Sequence, residues 1–152
     1  MVQDVAKRDE ALKPFPEARA KLPYSRTFDA AELARVQRGL VPAQMEDKWH
    51  IFFEEPWLYL HRSWSGIAIY AVRLTADAGG AIVEEAYANR DPGEFRETDA
   101  DHDARMLAFL VDRLLLGLRV EFPVRDGFNP AKVPLLVHHV VGHARANDEG
   151  SE

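Results

Sequence analysis

The sequence predicts an α+β domain: a four-stranded antiparallel meander with an N-terminal helix, and a long helix packed on one face of the sheet. Residues 48–89 contain four short runs rich in aromatic and β-branched side chains, separated by turn residues. Between residues 107 and 118, leucine and valine recur at helical spacing. Because short turns join neighbouring runs, we expect the strands to pair antiparallel.

Residues 1–28 are expected to form an extended arm. Three prolines between residues 14 and 23 each remove an amide donor and favour extended backbone in the preceding residue. The arm also carries apolar side chains, which predicts that parts of it lie against the domain. We place the domain itself at residues 29–146 and a disordered tail at residues 147–152.

The first helix is predicted to begin after Asp29. Asp29 as N-cap and Glu32 three residues later form a capping box, in which each side chain accepts a hydrogen bond from a backbone amide. Gly39, with Pro42 beyond it, is a typical helix stop. The pattern therefore predicts a short helix of about two to three turns.

Four strands follow, and turn residues mark the breaks between them. Glu55-Pro56 ends the first run, Ser63–Gly66 the second and Asp77–Gly80 the third. The four predicted strands lie within residues 48–54, 57–62, 67–75 and 81–88.

The long helix is predicted to begin at Thr98, with Asp101 in the capping-box position. Each of its apolar residues has another one three or four positions away, which is typical of a helix with one buried face. The stripe comprises Leu107, Leu110, Val111, Leu114 and Leu118.

The C-terminal segment 134–145 fits either a helix or a strand. Its valines favour a strand, whereas Pro134 at a first-turn position favours a helix, the interpretation adopted here. In a helix, His139 and His143 lie one turn apart, a spacing that metal ligands use. No carboxylate at ligand spacing completes a set with them and His138, so we expect neither a metal site nor a cofactor.

Composition excludes several classes of protein. The absence of cysteine among the 152 residues excludes disulfides and thiol catalysis, and 47% hydrophobic content excludes global disorder. The net charge of −6 argues against an extensive nucleic-acid footprint. Most of the acidity lies in residues 77–103, whereas residues 47–75 are neutral, which permits a small anionic ligand there.

The chain has no targeting segment or apolar run of bilayer length, so we expect a cytoplasmic protein without membrane association.

The densest group of chemically informative residues lies at one end of the predicted sheet. If the first hairpin turns at Glu55-Pro56, the start of its first strand meets the end of its second. Arginine and lysine suit phosphate or carboxylate, indoles stack on bases, and an imidazole donates a hydrogen bond. The expected ligand is small and anionic, resembling a nucleotide or phosphate. The predicted ligand-binding residues are Lys48, Trp49, His61, Arg62 and Trp64.

Three alternatives remain open at this stage. In a structural interpretation, both tryptophans belong to the core and Arg62 pairs with Asp47 or Glu54. In a hydrolase, His61 or His50 is the general acid or base of the same pocket, and no catalytic residue is assigned beyond these candidates. In a partner-binding module, exposed aromatic side chains anchor another protein. The sequence leaves the oligomeric state undetermined.

Residues 45–49 (MEDKW) and 57–66 (WLYLHRSWSG) resemble a family of small bacterial proteins. Some members of that family carry the label "8-oxoguanine DNA glycosylase fusion protein". The resemblance covers roughly residues 25–145 and implies a nucleotide or nucleic-acid context. The glycosylase activity is not carried over, because the helix-hairpin-helix, lysine nucleophile and downstream aspartate of that enzyme have no counterpart here.

Overall fold

An antiparallel sheet and two α-helices make up the described part of the chain, which confirms the α+β class. The computed structural model describes residue 6, residues 12–43 and 47–123, and residue 140. The strands are β1 (Arg19–Lys21), β2 (Thr27–Phe28), β3 (Trp49–Glu54), β4 (Trp57–Arg62), β5 (Ala68–Asp77) and β6 (Gly80–Asn89), and the helices are α1 (Ala30–Arg38) and α2 (Ala100–Leu110).

The predicted four-stranded meander is wrong, because the sheet has six strands in the order β1-β6-β5-β4-β3, with β2 also on β6. The two additional strands come from the N-terminal arm. Ala20 pairs with Ala88 and Thr27 with Ile82, so both short strands cover the outer edge of β6. The prolines of the arm lie outside these strands and do not interrupt their hydrogen bonds. Pairing the arm satisfies backbone groups that an uncovered edge strand would expose.

The first helix is confirmed in detail. The Asp29 carboxylate accepts a hydrogen bond from the Glu32 amide at 2.8 Å, and the Glu32 carboxylate accepts one from the Asp29 amide at 3.0 Å. Gly39 follows the helix with a φ of 69°. The capping box and glycine stop therefore bound α1 as the sequence indicates.

The long helix differs from its prediction at both ends. Its N-cap is Asp99, one residue beyond Thr98, and the Asp99 carboxylate accepts a hydrogen bond from the His102 amide at 3.1 Å. A π-helical turn, Val111–Leu115, continues α2. Its wider hydrogen-bond spacing rotates the following residues relative to an α-helix. The helix ends at Leu116, so Leu118 lies beyond it, is 41% exposed and does not belong to the buried stripe.

The two faces of the sheet have different surroundings. Side chains from one face, with Leu60 opposite Tyr70, pack with α2 in the main core, whereas Phe52 and Tyr59 share the other face. The arm crosses that second face, where the Lys13 amide donates to the Gly66 carbonyl at 2.8 Å.

The predicted segment 134–145 lies outside the described residues except for Val140. None of the described helices is long and apolar enough to span a bilayer.

Candidate functional site

The β3–β4 hairpin brings most of the predicted site residues to one end of the sheet. Trp49 lies opposite Arg62 and His50 lies opposite His61 in the antiparallel register. A tight turn follows β4, in which the Gly66 amide donates to the Arg62 carbonyl at 2.9 Å. The five predicted side chains occupy three different positions around this end, which we call the hairpin end (residues 47–49 and 61–66).

Trp49 and Arg62 form a pair on the face of the sheet that packs with α2. The Arg62 guanidinium carbon lies 5.0 Å from the centre of the Trp49 ring, which in turn stacks on Tyr70 with ring centres 6.3 Å apart. The carbonyl oxygen of Val140 accepts hydrogen bonds from both, at 2.9 Å from the indole nitrogen and 3.2 Å from the guanidinium. Trp49 is only 3% exposed, so it is a core residue, as the structural interpretation expected.

Lys48 and Trp64 occupy the exposed part of the hairpin end. The Lys48 ammonium lies 5.8 Å from the centre of the Trp64 ring, within the range of a cation–π contact. Trp64 is 68% exposed, which is unusual for an indole in a folded domain. The Trp64 ring is therefore accessible to a ligand from solvent, and the partly exposed Lys48 lies beside it.

His61 lies on the opposite face of the sheet from Arg62, because successive residues of a strand point to opposite sides. Its Nε2 atom lies 2.9 Å from the Lys13 carbonyl oxygen of the arm, and the residue is 1% exposed. His50 faces the same side and is 7% exposed. The structure therefore places both candidate acid–base residues on the opposite face from Arg62, where they are buried.

Lys48 and Arg62 differ from the ion-paired arginines Arg73 and Arg90. Arg73 and Arg90 each lie within 3.3 Å of a carboxylate oxygen, whereas neither Lys48 nor Arg62 has a carboxylate partner among the described residues. The expected pairing of Arg62 with Asp47 is not observed: the Asp47 carboxylate accepts a hydrogen bond from the Ala43 amide at 2.7 Å. Glu54, the other expected partner, lies at the far end of β3.

Burial affects the charge state of Arg62. It lowers the pKa of the guanidinium, since a charged group loses hydration when it is covered. Arginine nevertheless stays protonated in proteins. Arg62 is therefore a half-buried positive charge whose described hydrogen-bond acceptor is the uncharged carbonyl of Val140.

A buried polar network next to the hairpin end was missed by the sequence analysis. The Tyr70 hydroxyl donates to Asp103 Oδ1 at 2.9 Å, and Arg90 Nη2 donates to Asp103 Oδ2 at 2.6 Å. The position of Asp103 in the sequence also fits the acidic first turn of the helix, where a carboxylate favours the helix N-terminus. A better signal was available, because Asp103 lies four residues before Leu107 and hence on the buried stripe.

Asp103 should make stability depend on pH in the direction opposite to that of an ordinary paired carboxylate. Burial raises its pKa above the usual 3.8, although the hydrogen bonds from Arg90 and Tyr70 lower it. The stability due to this proton is fully present below pH 3.8 and decreases as pH rises through the folded-state pKa. We expect the stability of the wild type relative to Asp103→Asn to fall in urea titrations as the pH rises above 3.8. A relative stability that rises as the pH increases above 3.8 would contradict the expectation.

Neither the described residues nor comparison with known proteins identifies a metal site or a family for this chain. Within the described ranges, no group of three or more His, Asp or Glu side chains is arranged to hold a metal ion. His138, His139 and His143 lie outside the described residues. In comparisons with protein families, curated proteins and solved structures, the chain has no match.

Proposed function

We propose that the chain binds a small anionic ligand of nucleotide or phosphate type at the exposed part of the hairpin end. The observation that carries the proposal is the pairing of Lys48 with the exposed indole of Trp64 in the absence of a described carboxylate partner for Lys48. An ammonium group suits phosphate, and an exposed indole provides a stacking surface for a base.

Arg62 supplies a second positive charge next to this site. It lies two positions before Trp64 in the chain, and its partner across the hairpin is Trp49, the neighbour of Lys48. Its charge raises the local concentration of anions even where its N–H groups do not contact the ligand. His61 is removed from the proposed contact set, because it faces the other side of the sheet beneath the arm.

The hydrolase alternative has less support than simple binding. A general acid or base must come within hydrogen-bond reach of the reacting group. His61 and His50 lie on the other face from Arg62 and are nearly inaccessible to solvent. We therefore propose binding without assigning catalysis.

A partner-binding function is the second candidate, and the exposure of Trp64 favours it. Tryptophan is enriched among the residues that dominate protein interfaces. This alternative predicts that Trp64→Ala abolishes association with a partner protein, whereas Lys48→Ala leaves it largely unchanged.

The binding proposal is tested by titrating adenosine monophosphate and inorganic phosphate and following tryptophan fluorescence and calorimetry. We expect Lys48→Ala to weaken both ligands about tenfold or more, because a charge-assisted hydrogen bond contributes about 1.5–3 kcal/mol. Trp64→Ala should remove the advantage of adenosine monophosphate over phosphate, since phosphate has no base to stack.

Arg73→Ala is the matched control, because Arg73 is a half-exposed cation of the same sheet that pairs with Glu84. It should leave both affinities unchanged. Equal losses in Arg73→Ala and Lys48→Ala would indicate a general effect of net charge and contradict the proposed site. Absence of binding of either ligand to the wild type would also contradict it.

A further inference from the structure

A second candidate site lies between the N-terminal arm and α2 and shares no residue with the hairpin end. It is a pocket of about 360 Å³, within the range of small-molecule sites. The arm contributes one wall, residues 23–26. The helix contributes the other, consisting of Ala104, Arg105, Ala108 and Asp112.

The walls are apolar over much of their length. Ala104 and Ala108 lie one turn apart on α2, and their short side chains leave the space that the pocket occupies. Pro23 and the ring of Tyr24 lie across from them. Tyrosine is uncharged near neutral pH, and burial raises the pKa of the Tyr24 hydroxyl further. The pocket can therefore hold the apolar body of a ligand.

The charges of the pocket are distributed unevenly. Arg26 is balanced by two carboxylates, Asp112 at 3.3 Å and Glu32 at 3.5 Å. Arg105, by contrast, is exposed and has no carboxylate partner in the part of the chain that the structure describes. The charge available to a ligand is thus the guanidinium of Arg105, which suits the two oxygens of a carboxylate.

Asp112 limits the ligand to a single negative charge. Arg105, Ala108 and Asp112 follow one another at spacings of three and four, so they line one side of the helix over about 10 Å. A second anionic group at the far end would meet the Asp112 carboxylate. Asp112 also belongs to the π-helical turn, a distortion that is frequent at functional sites.

We infer that this pocket binds a small monocarboxylate with an apolar or aromatic body. The carboxylate pairs with Arg105, and the body lies between Ala108 of the helix and Pro23 of the arm. This site is independent of the proposed anion site at the hairpin end, which uses different cations.

The test uses benzoate as the probe, with its uncharged counterpart benzamide, and follows backbone amide shifts by NMR. We expect benzoate at millimolar concentration to shift the amides of residues 104–112 in the full-length chain. Arg105→Ala should weaken benzoate at least tenfold, and benzamide should bind the wild type at least tenfold more weakly. Ala108→Leu should abolish binding, because leucine fills the pocket and is a good helix former.

Two controls separate this site from a general effect and from the hairpin end. Arg113→Ala removes an exposed cation that does not line the pocket, and Lys48→Ala disables the other proposed site, so both should leave benzoate affinity unchanged. Equal binding of benzoate and benzamide would overturn the role of Arg105. Full benzoate affinity in an Ala108→Leu protein of unchanged melting temperature would overturn the location, and so would an absence of shifts in the wild type.

Discussion

Replacing Asp103 by alanine is expected to lower the free energy of unfolding by about 3–5 kcal/mol. Asp103 is 1% exposed and is the shared acceptor for Arg90 and Tyr70. Its removal leaves the Arg90 guanidinium, which is 15% exposed, without its carboxylate and the buried Tyr70 hydroxyl without an acceptor. Loss of one partner from a buried ion pair costs far more than loss of an exposed charge. Urea denaturation at neutral pH measures the effect.

Asp101→Ala provides the matched control for this experiment. Asp101 lies two residues earlier in the same first turn, but it is exposed. Its loss should cost only about 0.3–1 kcal/mol, the contribution of a negative charge near a helix N-terminus. Similar losses in the two variants would show that Asp103 acts only through the helix terminus.

A double-mutant cycle between Asp103→Ala and Arg90→Ala measures the coupling between them. If the two side chains act as a pair, the double variant should be more stable than the sum of the single losses implies, by about 1–3 kcal/mol. Additive losses would contradict the ion pair as the reason for the stability. The cycle thus tests the contact itself, whereas the single variant also includes the space left by the side chain.

Gly39→Ala is expected to destabilise the chain by about 2–4 kcal/mol. Gly39 has a φ of +69°, a conformation that is strained for any residue with a Cβ atom. An added Cβ would also lie 2.2 Å from the carbonyl oxygen of Ile51, which accepts a hydrogen bond from the Leu40 amide at 2.8 Å. Relief of this contact requires the end of α1 to move away from β3.

Gly79→Ala separates the cost of the backbone conformation from the cost of the close contact with Ile51. Gly79 also has a positive φ, +89°, but nothing lies within 4 Å of an added Cβ in the β5–β6 turn. Its substitution should therefore cost only about 1 kcal/mol, the conformational part of the effect. Thermal and urea unfolding of both variants measure the difference. Equal losses would mean that the contact with Ile51 relaxes without cost.

At the hairpin end, the spacing of residues in the sequence predicts which residues come together but not which of them are accessible. Successive residues of β4 point to opposite faces of the sheet, so His61 and Arg62 do not share a pocket, although the sequence predicts both at the same end of the hairpin. Whether a side chain is accessible depends on which residues pack over its face of the sheet, and those residues lie far away in the sequence. Lys13 covers His61 from 48 residues away, and Val140 meets Trp49 from 91 residues away.

The strands of the N-terminal arm also depend on distant residues and could not be predicted from the local sequence. Its prolines correctly predicted extended backbone, but extended segments pair only where another strand leaves an edge free. The sequence of β1 contains three residues and that of β2 two, too few to display an alternation of apolar and polar side chains. Their membership of the sheet depends on β6, which lies about 55 to 70 residues later in the chain.

The sequence by itself determined the α+β class, the antiparallel pairing, the turns between the central strands and the cap of the first helix. Each of these depends on residues within a few positions of one another, where periodicity and hydrogen bonding to the local backbone act directly. The tertiary structure alone decided that the sheet has six strands, that Trp49 is buried while Trp64 is exposed, and that Asp103 joins Tyr70 to Arg90. Those features depend on contacts between residues far apart in the chain, and burial and charge pairing exist only once the chain has packed.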